Sequence, residues 1–206
     1  MQRIAIIDYG MGNVRSVQKA IECVSPDDEV LLTQDKIYIE NSDRVVFPGQ
    51  GAIGSCMNVI NELGIANSIK QAASEKPFLG ICLGLQMLFD WSEENGGTNG
   101  LSIFQGTVNH FYSKELKVPH MGWNTVSQTR EHKLWDGIND NARFYSVHSY
   151  YANPSEDVEV GSTNYGIEFC TAAARDKIFA VQFHPEKSQR DGLKLLQNFV
   201  EWKTGF

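Results

Sequence analysis

The chain has 206 residues, of which 42% are hydrophobic and 21% are charged, as in an ordinary globular protein. This length fits one domain over residues 1–206 with a substantial core. The net charge of −7 argues against a nucleic-acid-binding surface. No apolar run approaches the roughly 18 residues of a membrane span, so we expect neither nucleic acid nor a membrane as a partner.

The cysteines and the N-terminus both indicate a cytoplasmic protein. The first apolar run ends at Asp8 and is too short for a secretory signal. The cysteines contain no C-x-x-C pair and no zinc-like spacing, so we expect no metal and a reducing compartment. They are Cys23, Cys56, Cys82 and Cys170.

Short apolar runs alternate with amphipathic segments in the first half. We predict strands over 3–7, 29–33, 44–47 and 77–81, a helix that begins after Asn13 as N-cap, one or two helices over 52–74 and a helix over 83–91. Such alternation favours a parallel sheet with helices on its faces.

The second half is typical of strands and turns. Strands are predicted over 106–112, 144–152, 159–166, 168–174 and 178–183, followed by a final amphipathic helix over 188–202. The predicted fold is therefore α/β. It has an open, mostly parallel central sheet flanked by helices, with an antiparallel or mixed extension in the second half.

A G-x-C-x-G motif around Cys82 joins a predicted strand to a predicted helix. That is the setting of a nucleophile elbow, in which a sharp turn lifts one side chain over the end of the sheet. Gly80 and Gly84 are needed where a Cβ would collide with neighbouring backbone. The N–H of Leu83 would face a developing oxyanion. Alone, the motif fits equally a buried cysteine in a tight turn.

A candidate base follows the last predicted strand, where the sequence reads H-P-E. His184 and Glu186 lie two apart in a segment that Pro185 biases toward extended geometry, so both side chains can project to one side. A carboxylate behind a histidine fixes its tautomer. Parallel strands would bring these residues and Cys82 to one edge of the sheet.

Two glycine-containing loops lack cofactor signatures. Gly49, Gln50 and Gly51 follow Pro48 and leave backbone N–H groups free for an incoming oxygen, but the loop lacks the G-K-[ST] ending of a phosphate loop. The turn at 10–13 lacks the third glycine of a dinucleotide fingerprint. We expect no cofactor. His110 and His132 are expected to be exposed, and His148 to be structural or part of a subunit contact.

Together the P-G-x-G, G-x-C-x-G-x-Q and H-P-E motifs resemble the triad glutamine amidotransferases over nearly the whole chain. The stretches at 7–17, 118–124 and 144–152 are similar to the glutaminase subunits of imidazole glycerol phosphate synthases. The resemblance implies that Cys82 is the nucleophile, His184 the base and Glu186 its orienting carboxylate. It implies an oxyanion hole at Leu83 and the Gly49–Gly51 loop.

The resemblance also implies binding sites for L-glutamine and for a partner. Glutamine would contact Gln86, Glu94, Ser149 and Tyr150, although packing roles remain open for Gln86, Glu94 and Tyr150. The partner would be a (βα)8-barrel cyclase that uses the ammonia in a heterodimer to form imidazole glycerol phosphate and an aminoimidazole carboxamide ribotide. Positions matching that interface or the ammonia path are Asn13, His120, Met121, Trp123, Tyr145 and Lys187. Trp123, expected on a turn, could equally be core packing.

Gln50 departs from the glycine that many of these enzymes carry in the oxyanion loop. A side chain there restricts the 49–50 peptide. We therefore expect a resting loop with an N–H turned away from the site until a partner binds. Three alternatives remain open: a glutaminase subunit serving another synthase such as a sugar-modifying enzyme, a cysteine hydrolase or protease of a related fold, and a non-catalytic interaction subunit.

Overall fold

The computed structural model describes residues 1–112 and 116–203. Within them the strands are β1 (Arg3–Ile7), β2 (Glu29–Thr33), β3 (Arg44–Gly49), β4 (Phe78–Cys82), β5 (Trp91–Ser92), β6 (Thr98–Asn99), β7 (Gly106–His110), β8 (His120–Val126), β9 (Ala142–His148), β10 (Tyr150–Pro154), β11 (Glu159–Asn164), β12 (Glu168–Arg175) and β13 (Ile178–Val181).

The helices of the same residues are α1 (Val14–Val24), α2 (Lys36–Asn41), α3 (Ile53–Glu62), α4 (Ala66–Glu75), α5 (Leu83–Gln86) and α6 (Gln189–Glu201). Short 3-10 turns cover Glu94–Gly96, Lys133–Trp135 and Pro185–Lys187. The segment over 52–74 thus contains two helices, one of the two possibilities that the pattern left open.

One large sheet runs through both halves of the chain. Its strand order is β2-β1-β3-β4-β13-β12-β10-β7-β5-β6, with β11 paired to β12. The five strands from β2 to β13 are parallel, and β12, β10 and β7 continue the sheet in antiparallel pairs. This confirms the predicted α/β class with an antiparallel extension in the second half.

Helices cover both faces of the parallel part because its strands are apolar on both sides. On one face Ile4 and Ile6 pack in a core with Ile21 of α1 and Leu196 of α6. On the other face the neighbouring residues of β1 pack with α3 and α4. Strands buried on both faces are typical of a parallel sheet.

Two predicted elements differ from the structure near the site. The helix expected over 83–91 ends at Gln86, because the carbonyl groups of Met87 and Leu88 accept hydrogen bonds from Leu101 and Ile103 instead of from a following helical turn. Asn13 precedes α1 but does not cap it with its side chain, which donates to Ser16 Oγ at 2.8 Å.

The segment over 118–152 also differs from its prediction. Trp123 lies in β8 and not on a turn, and β8 pairs with β9 in a separate two-stranded sheet. The single strand expected over 144–152 is two strands, β9 and β10, which belong to different sheets and are joined by Ser149. We call the β8–β9 pair the ribbon.

Candidate active site

Three parallel strands end side by side at the candidate site. Gly49 at the end of β3 pairs with Cys82 at the end of β4. Val181, the last residue of β13, pairs with Ile81 on the other side of β4, so His184 comes three residues beyond that shared edge. The expected meeting of the loop, the cysteine and the histidine at one edge of the sheet follows from this order.

The elbow at Cys82 is as tight as the glycines indicated. Cys82 has φ of 56° and ψ of −110°, a conformation that residues with a Cβ rarely adopt. A Cβ on Gly84 would overlap the carbonyl oxygen of Phe47 on β3, and one on Gly80 would lie 2.9 Å from Ala180 Cβ. The N–H of Leu83 is the first of α5 and has no intrahelical partner.

His184 and Glu186 meet as expected, although by another local geometry. Glu186 lies in the 3-10 turn Pro185–Lys187 and not in an extended segment, and its Oε1 is 2.8 Å from His184 Nδ1. Both side chains are almost fully buried, with 2% and 1% of their surfaces exposed. Because the carboxylate accepts from Nδ1–H, the neutral ring carries its lone pair on Nε2.

The charges of the site act on His184 together. Burial alone lowers the pKa of His184, but its interactions with the nearby Cys82 sulfur and the Glu186 carboxylate outweigh that effect and raise the pKa to about 10. His184 Nε2 is buried without a hydrogen-bond partner of normal geometry in the described residues, as is Glu186 Oε2. Glu186 therefore holds the ring at Nδ1, and the ring stabilises negative charge on the neighbouring Cys82 sulfur.

A cavity of about 350 Å³ opens over the sulfur and brings most of the predicted residues together. Its volume suits a small metabolite. Among its lining residues are Gln50, Gly51, Cys82, Leu83, Gln86, Glu94, Ser149, Tyr150, His184 and Lys187. Gly49 and Glu186 line a small adjoining cleft with Asn13.

The polar groups of the cavity wall are tied to one another. Gln86 Nε2 donates to the Tyr150 carbonyl oxygen and to Gln182 Oε1, both at 3.0 Å. Glu94 Oε2 accepts from the Ile53 N–H at 2.8 Å. The Ser149 carbonyl accepts from the Phe111 N–H at 3.1 Å. These contacts fix the wall before any ligand enters.

The residues predicted for a partner interface divide into surface and interior. Met121 and Trp123 are 61% and 39% exposed on one side of the ribbon, and Trp123 meets the ring of Tyr145 at 6.2 Å. Lys187 Nζ lies 5.9 Å from the centre of the Tyr145 ring. His120 is only 3% exposed, so it belongs to the interior and not to the surface.

Two further histidines differ from their prediction. His132 is half-buried between the rings of Phe179 and Trp202, and burial lowers its pKa to about 4. His110 is half-buried too, beside the rings of Tyr112 and Tyr150. Rings distant in sequence contribute to both burials, Tyr150 at His110 and Phe179 and Trp202 at His132, and single-segment patterns do not indicate such contacts.

His148 and Gln182 were not predicted for the site. His148 lines the cavity, and its Nδ1 lies 2.8 Å from the Tyr150 carbonyl oxygen. Gln182 is fully buried, with Nε2 3.8 Å from Cys82 Sγ. A signal for Gln182 was present, because it is a polar residue inside the apolar run 178–183 and a buried amide needs partners.

Comparison with known proteins identifies the family. Residues 5–202 match the family model described as glutamine amidotransferase class-I. The chain belongs to the class-I glutamine amidotransferase family. Within it, the chain is 52% identical to a protein of Dechloromonas aromatica and 51% identical to one of Pseudomonas putida, each named imidazole glycerol phosphate synthase subunit HisH. The alignments cover 98% of this chain and 97% and 98% of those relatives.

Solved structures show the same fold at much lower identity. The structure of PurLQS from Thermotoga maritima has a TM-score of 0.74 to this amidotransferase at 18% identity, covering 98% of this chain and 99% of that one. In the parts of the chain that the structure describes, no helix is long and apolar enough to cross a membrane.

Proposed function

We propose that this chain is the glutaminase subunit of an imidazole glycerol phosphate synthase. It hydrolyses L-glutamine to L-glutamate and ammonia and passes the ammonia to a cyclase subunit. The names of relatives at about half identity over nearly the full length support this acceptor over another synthase. The observation that carries the chemistry is the convergence of Cys82 and His184 on one cavity, with Glu186 behind the histidine.

The first half of the reaction acylates the sulfur. The Cys82 thiolate attacks the side-chain amide carbon of glutamine, and the carbonyl π electrons move to oxygen. The Leu83 N–H and an N–H of the loop formed by Gly49, Gln50 and Gly51 stabilise that oxyanion. His184 donates its Nε2 proton to the leaving nitrogen, and the C–N bond breaks to give ammonia and a glutamyl thioester.

The second half of the reaction hydrolyses the thioester and regenerates the free enzyme. Water loses a proton to His184 Nε2 as its oxygen bonds to the thioester carbon. The C–S bond then breaks, which gives glutamate and restores the thiolate. Throughout, Glu186 holds the ring by Nδ1 and stabilises its positive charge.

Glutamine recognition uses polar groups of the cavity wall. Glu94 has one carboxylate oxygen left for the substrate ammonium, since the other accepts from Ile53. The carbonyls of Ser149 and Tyr150 are engaged within the protein, so their backbone contribution to a substrate carboxylate comes through N–H groups. Gln86 has only its oxygen free, because its nitrogen donates twice within the protein.

The cyclase, a (βα)8 barrel, binds the exposed side of the ribbon in a heterodimer. Met121, Trp123, Tyr145 and Lys187 supply an apolar and aromatic centre with one cation, a composition typical of binding hot spots. Asn13 is exposed at the first β–α turn and lines the cleft beside Glu186, which supports a place at the edge of the same interface.

Partner binding also turns the oxyanion loop into its active form. Side chains hold two of its carbonyls: Tyr9 Oη donates to Pro48 O at 3.0 Å, and Cys56 Sγ lies 3.5 Å from Gln50 O. The peptide between Gly49 and Gln50 lies between these two anchors. The N–H of this peptide turns toward the cavity when the cyclase has bound its nucleotide substrate.

The decisive experiment is a glutaminase assay of the purified chain with and without the cyclase and its nucleotide substrate. We expect steeply increased glutamate release on mixing, and none from Cys82→Ala. Trapping with a glutamine-like chloroketone should modify Cys82 alone. Full glutaminase speed without the partner would disprove the gating, and activity of Cys82→Ala in glutamine-dependent synthesis would disprove the nucleophile.

We also propose where the protein acts and how many domains it forms. The protein acts in the cytoplasm, which four free cysteines support. It forms a single domain, which the sheet shared by both halves supports.

A further inference from the structure

The side-chain amide of Gln182 connects the candidate nucleophile to the wall of the cavity. Gln182 follows β13 and is 0% exposed. Its Oε1 accepts from Gln86 Nε2 at 3.0 Å, and its Nε2 lies 3.8 Å from Cys82 Sγ. A buried amide left without partners costs about 1–3 kcal/mol, so each of these contacts constrains where the group can lie.

One backbone carbonyl, that of Tyr150, fixes the donor and the acceptor in each hydrogen bond of the series that runs through Gln86 and Gln182 to the sulfur. The Tyr150 oxygen can only accept, so the Gln86 atom 3.0 Å from it is the amide nitrogen. That same nitrogen can only donate to Gln182, which must therefore present its oxygen to Gln86. The nitrogen of Gln182 is left facing the sulfur of Cys82.

His148 supports the same direction from the other side. Its Nδ1 lies 2.8 Å from the Tyr150 oxygen and must donate to it, so its Nε2 accepts from Nδ1 of His120 at 3.0 Å. Burial, together with the neighbouring His120, lowers the pKa of His148 to about 3, so the ring stays neutral at pH 7. The carbonyl that orients Gln86 is thus itself held by a donor of fixed tautomer.

We propose that Gln182 is a positioning residue for the nucleophile: its amide N–H donates to Cys82 Sγ and holds the sulfur as a thiolate aimed into the cavity. This rests on the proposed function, in which that sulfur attacks the substrate. A donor to sulfur favours the ionised form, because a thiolate accepts a hydrogen bond more strongly than a thiol does. His184 stabilises the same negative charge on the sulfur, so the Gln182 hydrogen bond adds to the effect of the imidazolium.

The test replaces the donor while keeping the shape. Gln182→Glu presents oxygen to the sulfur in place of nitrogen, and Gln182→Met keeps the length without a donor. We follow iodoacetamide alkylation of Cys82 against pH by mass spectrometry, in a Cys23→Ser background because Cys23 is exposed. The alkylation midpoint should rise by at least about one pH unit in Gln182→Glu and by less in Gln182→Met.

Catalysis is measured on the same variants in complex with the cyclase. We expect kcat to fall about 10-fold to 100-fold with KM changed less than about 3-fold, because the sulfur and not the substrate loses a contact. Ser162→Ala is the matched control. It removes a hydrogen bond of another buried side chain, to Glu168 Oε1 at 2.8 Å, and should leave the alkylation midpoint unchanged.

Folded variants whose alkylation midpoint is unchanged would overturn the proposal, even if kcat fell, because a merely structural residue would behave in that way. If the variants do not fold, the native chain still decides: the side-chain amide resonance of Gln182 should shift over the pH range in which Cys82 ionises, and a constant resonance overturns the proposal. Alkylation needs no glutamine, so its result is separable from a failure of glutaminase activity in the native complex.

Discussion

Cys82 combines a strained backbone with a side chain that lines the cavity. Its φ of 56° with ψ of −110° places it in a region that glycine adopts easily and other residues do not. Such strain costs on the order of 1–3 kcal/mol and persists only where the surroundings enforce it. Here the pairing of β3 with β4 and the close approach of α5 to β3 enforce it.

This strain predicts an unusual order of stabilities at position 82. Cys82→Gly should be more stable than Cys82→Ala by about 1 kcal/mol, because only glycine relaxes at positive φ. At Cys56, inside α3, the order should reverse, since glycine is about 1 kcal/mol worse than alanine within a helix. Urea unfolding of the four variants measures both differences, and the same order at both sites would contradict the prediction.

Glu186 provides a second prediction at the residue scale. Glu186→Gln keeps the shape but removes the charge that helps to raise the pKa of His184. We expect kcat for glutamate release to fall at least about 100-fold, because the imidazolium loses its stabilising partner. Glu201→Gln, exposed on α6, serves as control and should retain full activity. Near-native activity of Glu186→Gln would mean that the ring needs no carboxylate.

The meeting of Cys82, His184 and Glu186 at one edge of the sheet was predictable because each residue lies in a recognisable local motif. Two glycines around Cys82 marked the turn, and the pair His184 and Glu186 needed only a strand end to bring them together. Gln182 was missed because its role depends on Gln86, which is 96 residues away in sequence. Contacts of that kind arise from the order of strands in the sheet, which no local pattern contains.

At the scale of elements, α5 lies so close to β3 that one methyl group would separate them. A Cβ on Gly84 would overlap the Phe47 carbonyl oxygen, which is part of the sheet. We predict that Gly84→Ala lowers the free energy of unfolding by about 3 kcal/mol, since backbone must move to accept it.

Gly54 offers the matched control for Gly84. It lies in α3, and its nearest neighbour to an added Cβ is the side-chain oxygen of Thr98 at 3.2 Å. Gly54→Ala should be neutral or stabilising by up to about 1 kcal/mol. Chemical denaturation compares the two variants, and equal effects would mean that the approach of α5 to β3 is not constrained.

Element boundaries were the weakest part of the sequence analysis. The five strands of the parallel region were predicted from apolar runs, because burial on both faces leaves a clear signal. The helix after Cys82 was predicted too long because the apolar run continues past Gln86, where the backbone carbonyls bond to residues 101–104. The division of 144–152 at Ser149 was missed because both halves have the alternation of a strand.

At the scale of the whole molecule, buried neutral histidines make stability depend on pH. The pKa of His148 is lowered to about 3, against about 6.5 in an unfolded chain. Below pH 6.5 the unfolded chain therefore binds a proton at His148 that the folded chain does not. The contribution of His148 to the free energy of unfolding decreases as the pH is lowered. His184, whose pKa is raised, opposes part of this loss, because the unfolded chain takes up a proton at that residue as the pH falls through about 6.5 while the folded chain already carries it.

We expect His148 alone to lower the free energy of unfolding by about 2 kcal/mol as the pH falls from 7 to 5. Thermal or urea unfolding at several pH values measures the slope. His148→Gln should have a shallower slope than the native chain, whereas replacing an exposed charged residue should not change it. An equal slope in His148→Gln would show that this histidine is not neutral in the folded protein.

The partner surface gives a prediction for the assembled enzyme. Trp123→Ala should raise the Kd for the cyclase by about 10-fold to 100-fold, because tryptophan at an interface centre commonly contributes more than 2 kcal/mol. Folding should change little, since the ring is 39% exposed. Ile37→Ala, 69% exposed on α2, is the control and should leave the Kd unchanged. Titration calorimetry measures both, and equal values would move the interface elsewhere.

Ser149 is the single residue between β9, which belongs to the ribbon, and β10, which belongs to the large sheet. One residue spans less than 4 Å and cannot take up slack. Pulling β9 along its own direction must therefore drag the Tyr150 carbonyl, and with it the anchor of Gln86. A force on the exposed ribbon would therefore reach the cavity wall through covalent bonds, because no flexible segment lies between them to absorb the displacement.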